Sequence, residues 1–178
     1  MSKVLIVVDM QKDFVDGSLG TKEAVAIVSA VAEEIGKDYD HIFFTRDTHQ
    51  SDYLQTNEGR HLPVEHCIED TDGWQLDKEV AQALRKLPEA SCTLLNKPTF
   101  GSDRLVDLLK KHDEKERIDS ITLIGLCTDI CVVTNALLIK TAFPEIEIKV
   151  LKDCCAGVTP ESHEAALTTM KMCQIEIV

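Results

Sequence analysis

Apolar residues in this chain fall into two kinds of run that alternate from one end to the other. Residues 4–9 form a continuous apolar run closed by an aspartate, the mark of a strand buried on both faces. Residues 22–35 instead carry Ala, Val and Ile at helical spacing. Further strands are predicted at 41–45, 92–96, 120–126, 145–151 and 174–178, and helices at 76–87, 102–112, 129–142 and 161–172. Leu105, Leu108 and Leu109 mark one face of the 102–112 helix, and Pro160 stands at the start of the last one.

Strands alternating with helices imply right-handed crossovers, and so a parallel sheet covered on both faces. The predicted fold is α/β: three layers, α/β/α, around a six-stranded, mostly parallel sheet, with residues 1–178 as one domain. The segment 47–73 is too long for an ordinary connection and lacks a regular pattern, which points to a functional loop.

Composition narrows the setting. The 44% hydrophobic and 28% charged residues are an ordinary globular balance, and no apolar run reaches membrane-spanning length. The opening MSKVLIVVDM enters a strand with no signal-peptide pattern, so the cytoplasm is the expected compartment. Seven cysteines, two of them adjacent (Cys154 and Cys155), show neither a disulfide framework nor a structural zinc spacing. The net charge of −12 argues against nucleic acid and anionic membranes, which require basic patches.

The candidate chemistry lies at the strand ends, because sites in open α/β sheets form beyond the carboxyl ends of the strands. Asp9 closes the first strand, Asp47 and His49 come after the second, Lys97 after the third, and Cys131 lies just past the fourth. In ITLIGLCTDICVVTNAL, residues 121–137, the strand breaks at Cys127-Thr128-Asp129 and a helical pattern begins. Thr128 and Asp129 are favourable N-cap residues, which would place Cys131 in a first helical turn whose free N–H groups favour a thiolate. A thiolate is the nucleophilic form of cysteine.

These residues form a set suited to acyl transfer. Asp9, its pKa raised by apolar neighbours such as Val7, Val8 and Phe14, is the candidate base. Lys97 would favour the charged forms of both partners, and backbone N–H groups around Cys127 and Cys131 would hold an oxyanion. Read blandly, Asp9 and Lys97 are an ion pair beside a structural cysteine. The coincidence of four strand ends favours the catalytic reading.

VVDMQKDF at 7–14, RDTH at 46–49, the His66-Cys67 pair, NKPTFGS at 96–102 and GLCTDICV at 125–132 carry a resemblance. In that order the chain resembles the cysteine hydrolases of the isochorismatase-like superfamily, and within it the nicotinamidases. The resemblance implies an Asp9–Lys97–Cys131 triad and a cis peptide joining Leu126 to Cys127. It implies a divalent metal held by Asp47, His49 and His66, with Glu58 as a further carboxylate; the donors suit zinc, with iron or manganese as alternatives. It also implies a substrate pocket including Phe14, Leu126 and Cys127, with His61 a loop residue and Cys67 a packing residue. The expected partner is a small-molecule amide, and a homo-oligomer is the expected assembly.

Two positions depart from the nicotinamidase pattern. Leu62, in LPVEHC, stands where a tryptophan of W-P-x-H-C is usual, with one residue extra, and Pro98-Thr99-Phe100 comes directly after the lysine. Phe14, Phe100 or Trp74 remain to stack on a ring. The expected activity is hydrolysis of a small primary carboxamide, most simply nicotinamide, through a thioester. The rivals are another amide or ureido substrate, a non-catalytic binding module, and a redox pair of Cys127 and Cys131.

Overall fold

Strand β1 (Ser2–Val8) shows how the chain layers itself. Val4, Ile6 and Val8 enter one apolar cluster with Leu105, Leu109 and Ile139, while Leu5 and Val7 enter another with Ile27, Val31 and Val80. A strand apolar at every position from Val4 to Val8 therefore requires helices on both of its faces. The structure, a computed structural model, describes residues 1–178.

The remaining strands are β2 (His41–Asp47), β3 (Cys92–Lys97), β4 (Ile118–Leu126), β5 (Glu147–Ala156) and β6 (Glu176–Ile177). All pairings are parallel, in the order β3-β2-β1-β4-β5-β6. Helices α1 (Lys12–Val15), α2 (Lys22–Ile35), α3 (Asn57–His61) and α4 (Lys78–Leu84) come from the first half of the chain. Helices α5 (Asp103–Lys115), α6 (Val133–Ala142) and α7 (Pro160–Met172) come from the second. Residues of α2 and α4 pack on one face of the sheet, and those of α5, α6 and α7 on the other. The three-layer α/β fold expected from the hydrophobic pattern is the fold observed. No helix is long and apolar enough to cross a membrane.

Strand order reverses between β1 and β4, the point at which such sheets open a crevice for ligands. Gly125 makes that junction close. Its φ is +116°, and a Cβ there would lie 2.1 Å from the Val8 carbonyl oxygen, so only glycine lets β4 approach β1 beside Asp9.

Several boundaries differ from the sequence expectation. The helix expected over 76–87 is Lys78–Leu84, because the Asp77 carboxylate accepts from the Glu79 and Val80 amides and caps it there. Strand β5 runs on to Ala156, with its register against β4 shifting between Leu123 and Gly125. The segment 47–73 is not wholly irregular. It holds a short 3₁₀ turn, Tyr53–Gln55, and α3, whose N-cap Thr56 accepts from Gly59 N.

Candidate active site

Three strand ends meet in a buried charge cluster. Asp9 leaves β1 with a positive φ of 46°, and its Oδ2 lies 2.6 Å from Lys97 Nζ at the end of β3. The ammonium also donates to Cys131 Sγ at 3.4 Å and to the Thr99 carbonyl at 3.0 Å. Asp9 Oδ1 accepts from the Thr45 hydroxyl at 2.7 Å. Asp9 and Lys97 are fully buried and Cys131 nearly so.

Burial governs how this trio titrates. It pushes the Asp9 carboxyl up, against the opposing pull of Lys97. Burial works to lower Lys97, but the Asp9, Cys131 and Asp47 side chains outweigh it and hold the lysine protonated. Burial also pushes the Cys131 thiol well up, Asp9 and Asp47 add to this, and Lys97 opposes them. Burial and the nearby carboxylates thus work against the thiolate that a helix N-terminus would favour, and Lys97 works for it.

Local structure also differs from that expectation. Thr128 and Asp129 do not cap a helix. Residues Thr128–Val132 make a π-type turn ahead of α6, with the Cys127 carbonyl accepting from Ile130 N and Val132 N, both at 3.1 Å. The Thr128 hydroxyl instead bonds His163 Nδ1 at 2.8 Å, and the Asp129 carboxylate accepts from Val158 N. Thr128 thus ties the turn carrying Cys131 to α7, and Asp129 ties it to the β5–α7 loop. The Leu126–Cys127 peptide is cis, and the Cys127 amide has no protein acceptor.

Beside the trio lies a second cluster. Asp47, His49, Glu58 and His66 each offer one ligand atom, all within 4.8 Å of one another. His49 Nε2 is 2.9 Å from Asp47 Oδ2 and 3.5 Å from Glu58 Oε1; His66 Nε2 is 3.6 and 3.8 Å from the same atoms. His66 Nδ1 pairs with the Val64 carbonyl at 2.8 Å, which leaves Nε2 facing the cluster. Burial raises Asp47, but the neighbouring His49 and His66 imidazoles and the Lys97 charge outweigh it and hold this carboxyl well below the usual range. Burial pushes Glu58 up.

A cavity of about 130 Å³ joins the two clusters. It is far smaller than the ~300–1,000 Å³ of drug-sized sites, so it suits a small molecule. Its walls include Phe14, Leu62, Phe100, Leu126 and Ile130, with Cys127 and Cys131 alongside Asp47, Glu58 and His66. Phe14, Leu126 and Cys127 therefore line it as expected. Trp74 does not; its indole N–H donates to Thr48 and its ring lies under the Arg46 guanidinium at 3.5 Å. Exposed His61 bonds the Asn57 carbonyl, and buried Cys67 packs on the α2 side of the sheet. Neither belongs to the donor cluster.

Sequence reasoning passed over two buried supports. Thr45, a hydroxyl within an apolar strand, holds Asp9. Gln11 receives the Asp47 amide at 2.7 Å and donates to the Asp47 and Trp74 carbonyls at 2.8 and 3.0 Å. A glutamine two residues past a strand-end aspartate was the available signal.

A nicotinamidase/pyrazinamidase of Mycobacterium tuberculosis is 27% identical over 186 residues, covering 99% of this chain and 98% of that protein. The crystal structure of a pyrazinamidase/nicotinamidase from Streptococcus mutans superposes with a TM-score of 0.85 at 30% identity, over 99% of this chain and 100% of that one. A zinc complex of the Pyrococcus horikoshii pyrazinamidase superposes at 0.79 with 28% identity, over 100% and 99%. The isochorismatase domain family matches residues 3–178, and the chain belongs to that family.

Proposed function

We propose that the protein is a cysteine amidohydrolase that cleaves a small primary carboxamide, nicotinamide above all, to the carboxylic acid and ammonia. One observation carries the reading: a single small cavity is lined both by Cys131 and by Asp47, Glu58 and His66. The same cavity thus offers a nucleophile for a carbonyl and a donor set for a metal that could bind a ring nitrogen. Relatives named nicotinamidase or pyrazinamidase support the substrate class.

The donor set fits a divalent cation. Asp9 and Asp47 pair with Lys97, while Asp47 and Glu58 both face His49 and His66, so that two carboxylates and two imidazoles converge in a mostly buried site. Asp47 Oδ1 and His49 Nε2 are buried without a well-formed hydrogen bond, although Asp47 Oδ1 is 3.5 Å from Lys97 Nζ. Two imidazoles and two carboxylates suit zinc, iron or manganese, and zinc is bound by the Pyrococcus relative. When bound, the metal would supply a Lewis-acid contact for the pyridine nitrogen.

The chain's own residues would carry the proton and the acyl group. Asp9 takes the Cys131 proton as sulfur attacks the carbonyl carbon, and the Cys127 and Cys131 amides receive the oxyanion. Asp9 returns the proton to the nitrogen as the C–N bond breaks, releasing ammonia and leaving a thioester. Water attacks the thioester with Asp9 again as base, and the acid departs as the thiol re-forms. Lys97 holds Asp9 and the sulfur together throughout.

The test is ammonia release from a panel of nicotinamide, pyrazinamide, benzamide and aliphatic amides, with and without a chelator. Turnover of the pyridine and pyrazine amides that falls on chelation and returns with metal is the expected result. No turnover of any amide by metal-replete protein would overturn the reading.

A further inference from the structure

Asn135 is a fully buried polar residue with no part in the proton or acyl transfers. It sits on α6, one turn past Cys131, and its side chain is fully engaged. Nδ2 donates to the Cys131 carbonyl at 2.8 Å and to the Phe100 carbonyl at 3.1 Å, while Oδ1 accepts from Ser102 N at 3.0 Å. The Ser102 amide can only donate, so the amide orientation is set.

These three bonds link two segments with different tasks. One carries the nucleophile. The other, between β3 and α5, begins at Lys97 and supplies Thr99, whose carbonyl accepts from Lys97 Nζ, and Phe100, which lines the cavity. The Thr99 hydroxyl bonds the Gly101 carbonyl at 2.6 Å, and a Cβ on Gly101 would lie 2.6 Å from Thr134 and 2.7 Å from Leu138. The loop is thus pressed onto α6, and Asn135 reaches its backbone on both sides of Gly101.

From this we infer that Asn135 is a positioning residue: it sets the separation between the Cys131 sulfur and the Lys97 ammonium by tying both backbones to one amide. The inference rests on reading Cys131 as the nucleophile and Lys97 as its cation. Simple core satisfaction would explain the bond to the Cys131 carbonyl, a one-turn contact of a kind common in helices. It does not explain why the other two bonds cross to the lysine's loop.

Asn135→Ser separates these two functions. A serine hydroxyl can still reach the carbonyl one turn back, but it cannot span to Phe100 and Ser102. The readout is the rate of Cys131 alkylation by iodoacetamide, located by peptide mass spectrometry, in wild type, Asn135→Ser, Lys97→Met and the double variant. Melting temperatures confirm that each protein is folded at the assay temperature. In the Lys97 background Asn135→Ser should slow alkylation about tenfold, the equivalent of one pKa unit of lost thiolate stabilisation. In the Lys97→Met background the same change should alter the rate by less than about twofold, because there is no ammonium left to misplace.

Equal slowing in both backgrounds, or none in either, would overturn the inference. Equal alkylation of wild type and Lys97→Met would overturn the underlying reading of Lys97, and the role of Asn135 with it. Should Lys97→Met fail to fold, wild type and Asn135→Ser decide alone: slower alkylation with a lower kcat at unchanged KM supports the positioning role, and an unchanged rate rejects it.

Discussion

The two sides of the cavity are built in different ways. Asp9 and Lys97 stand at the ends of β1 and β3 and Cys131 on the turn that follows β4, and each is buried to within a few per cent. The sheet ladder sets the separation of Asp9 and Lys97, and the turn after β4 brings Cys131 to them. Asp47 and His49 also sit at a strand end, but Glu58 comes from α3 and His66 from the loop after it, and the Glu58 side chain remains 23% exposed. Leu62 on the same segment is 37% exposed. The proposed reacting groups are held by the sheet and its core, and the groups proposed to select the ligand sit on a connection folded mainly within itself. That division lets recognition change while the chemistry stays in place.

The strand side should fail through its chemistry. Cys131→Ala should lower turnover at least ~10³-fold, since the covalent route is lost. Its melting temperature should stay within roughly 3 °C of wild type, because a small buried side chain replaces another. A tenth of the wild-type kcat retained would remove the sulfur from the mechanism.

Lys97→Met should damage both activity and stability. It strands the Asp9 carboxylate in a buried site, a loss of ~3–5 kcal/mol by analogy with broken buried pairs, and amide hydrolysis should fall at least ~10²-fold. Chemical denaturation and steady-state kinetics read the two effects, and a stable variant would mean that Asp9 is neutral in the folded protein.

The loop side should fail differently. The double variant His49→Ala, His66→Ala should lose its bound metal by elemental analysis and lose roughly ten- to a hundredfold in kcat/KM, on the scale of disrupted metal sites. Cys131 alkylation should change by less than about twofold, since neither histidine bonds Asp9, Lys97 or Cys131, although Asp47 pairs with Lys97 across β2 and β3. A large change in thiol reactivity would show that the sides are coupled, with the Lys97–Asp47 contact at 3.5 Å as the connection.

Smaller effects belong to the loop's exposed members. Glu58→Gln should weaken metal retention about tenfold and slow the enzyme only at limiting metal. Leu62→Ala should raise KM about threefold at constant kcat, since it removes only part of an apolar wall that binds ground and transition states alike. An equal fall in kcat would place Leu62 in the chemical step.

Much of the molecule was legible along the chain. Apolar runs closed by a polar residue marked the strands, with β5 running on past the expected Leu151 to Ala156, and the ends of the first four pointed to Asp9, Asp47, His49, Lys97 and Cys131. The helix start at Lys78 was missed because the capping strength of Asp77 depends on its φ and ψ, which periodicity does not encode. The π-type turn was missed because Thr128 and Asp129 have good capping chemistry and use it on another segment. Trp74 was a candidate stacking ring, but Arg46 and Thr48 engage it elsewhere.

By itself the sequence determined the element types, the parallel layering and the edge at which the reactive groups meet, because hydrophobic period and strand ends are local properties of the chain. Only the tertiary structure decided the surroundings of those groups. Whether Cys131 rests as thiol or thiolate, whether Asp9 can accept a proton, and which loop Asn135 grips all depend on distant segments. Burial and charge proximity are set by the segments that fold together around a side chain, and those neighbours are assembled only in three dimensions.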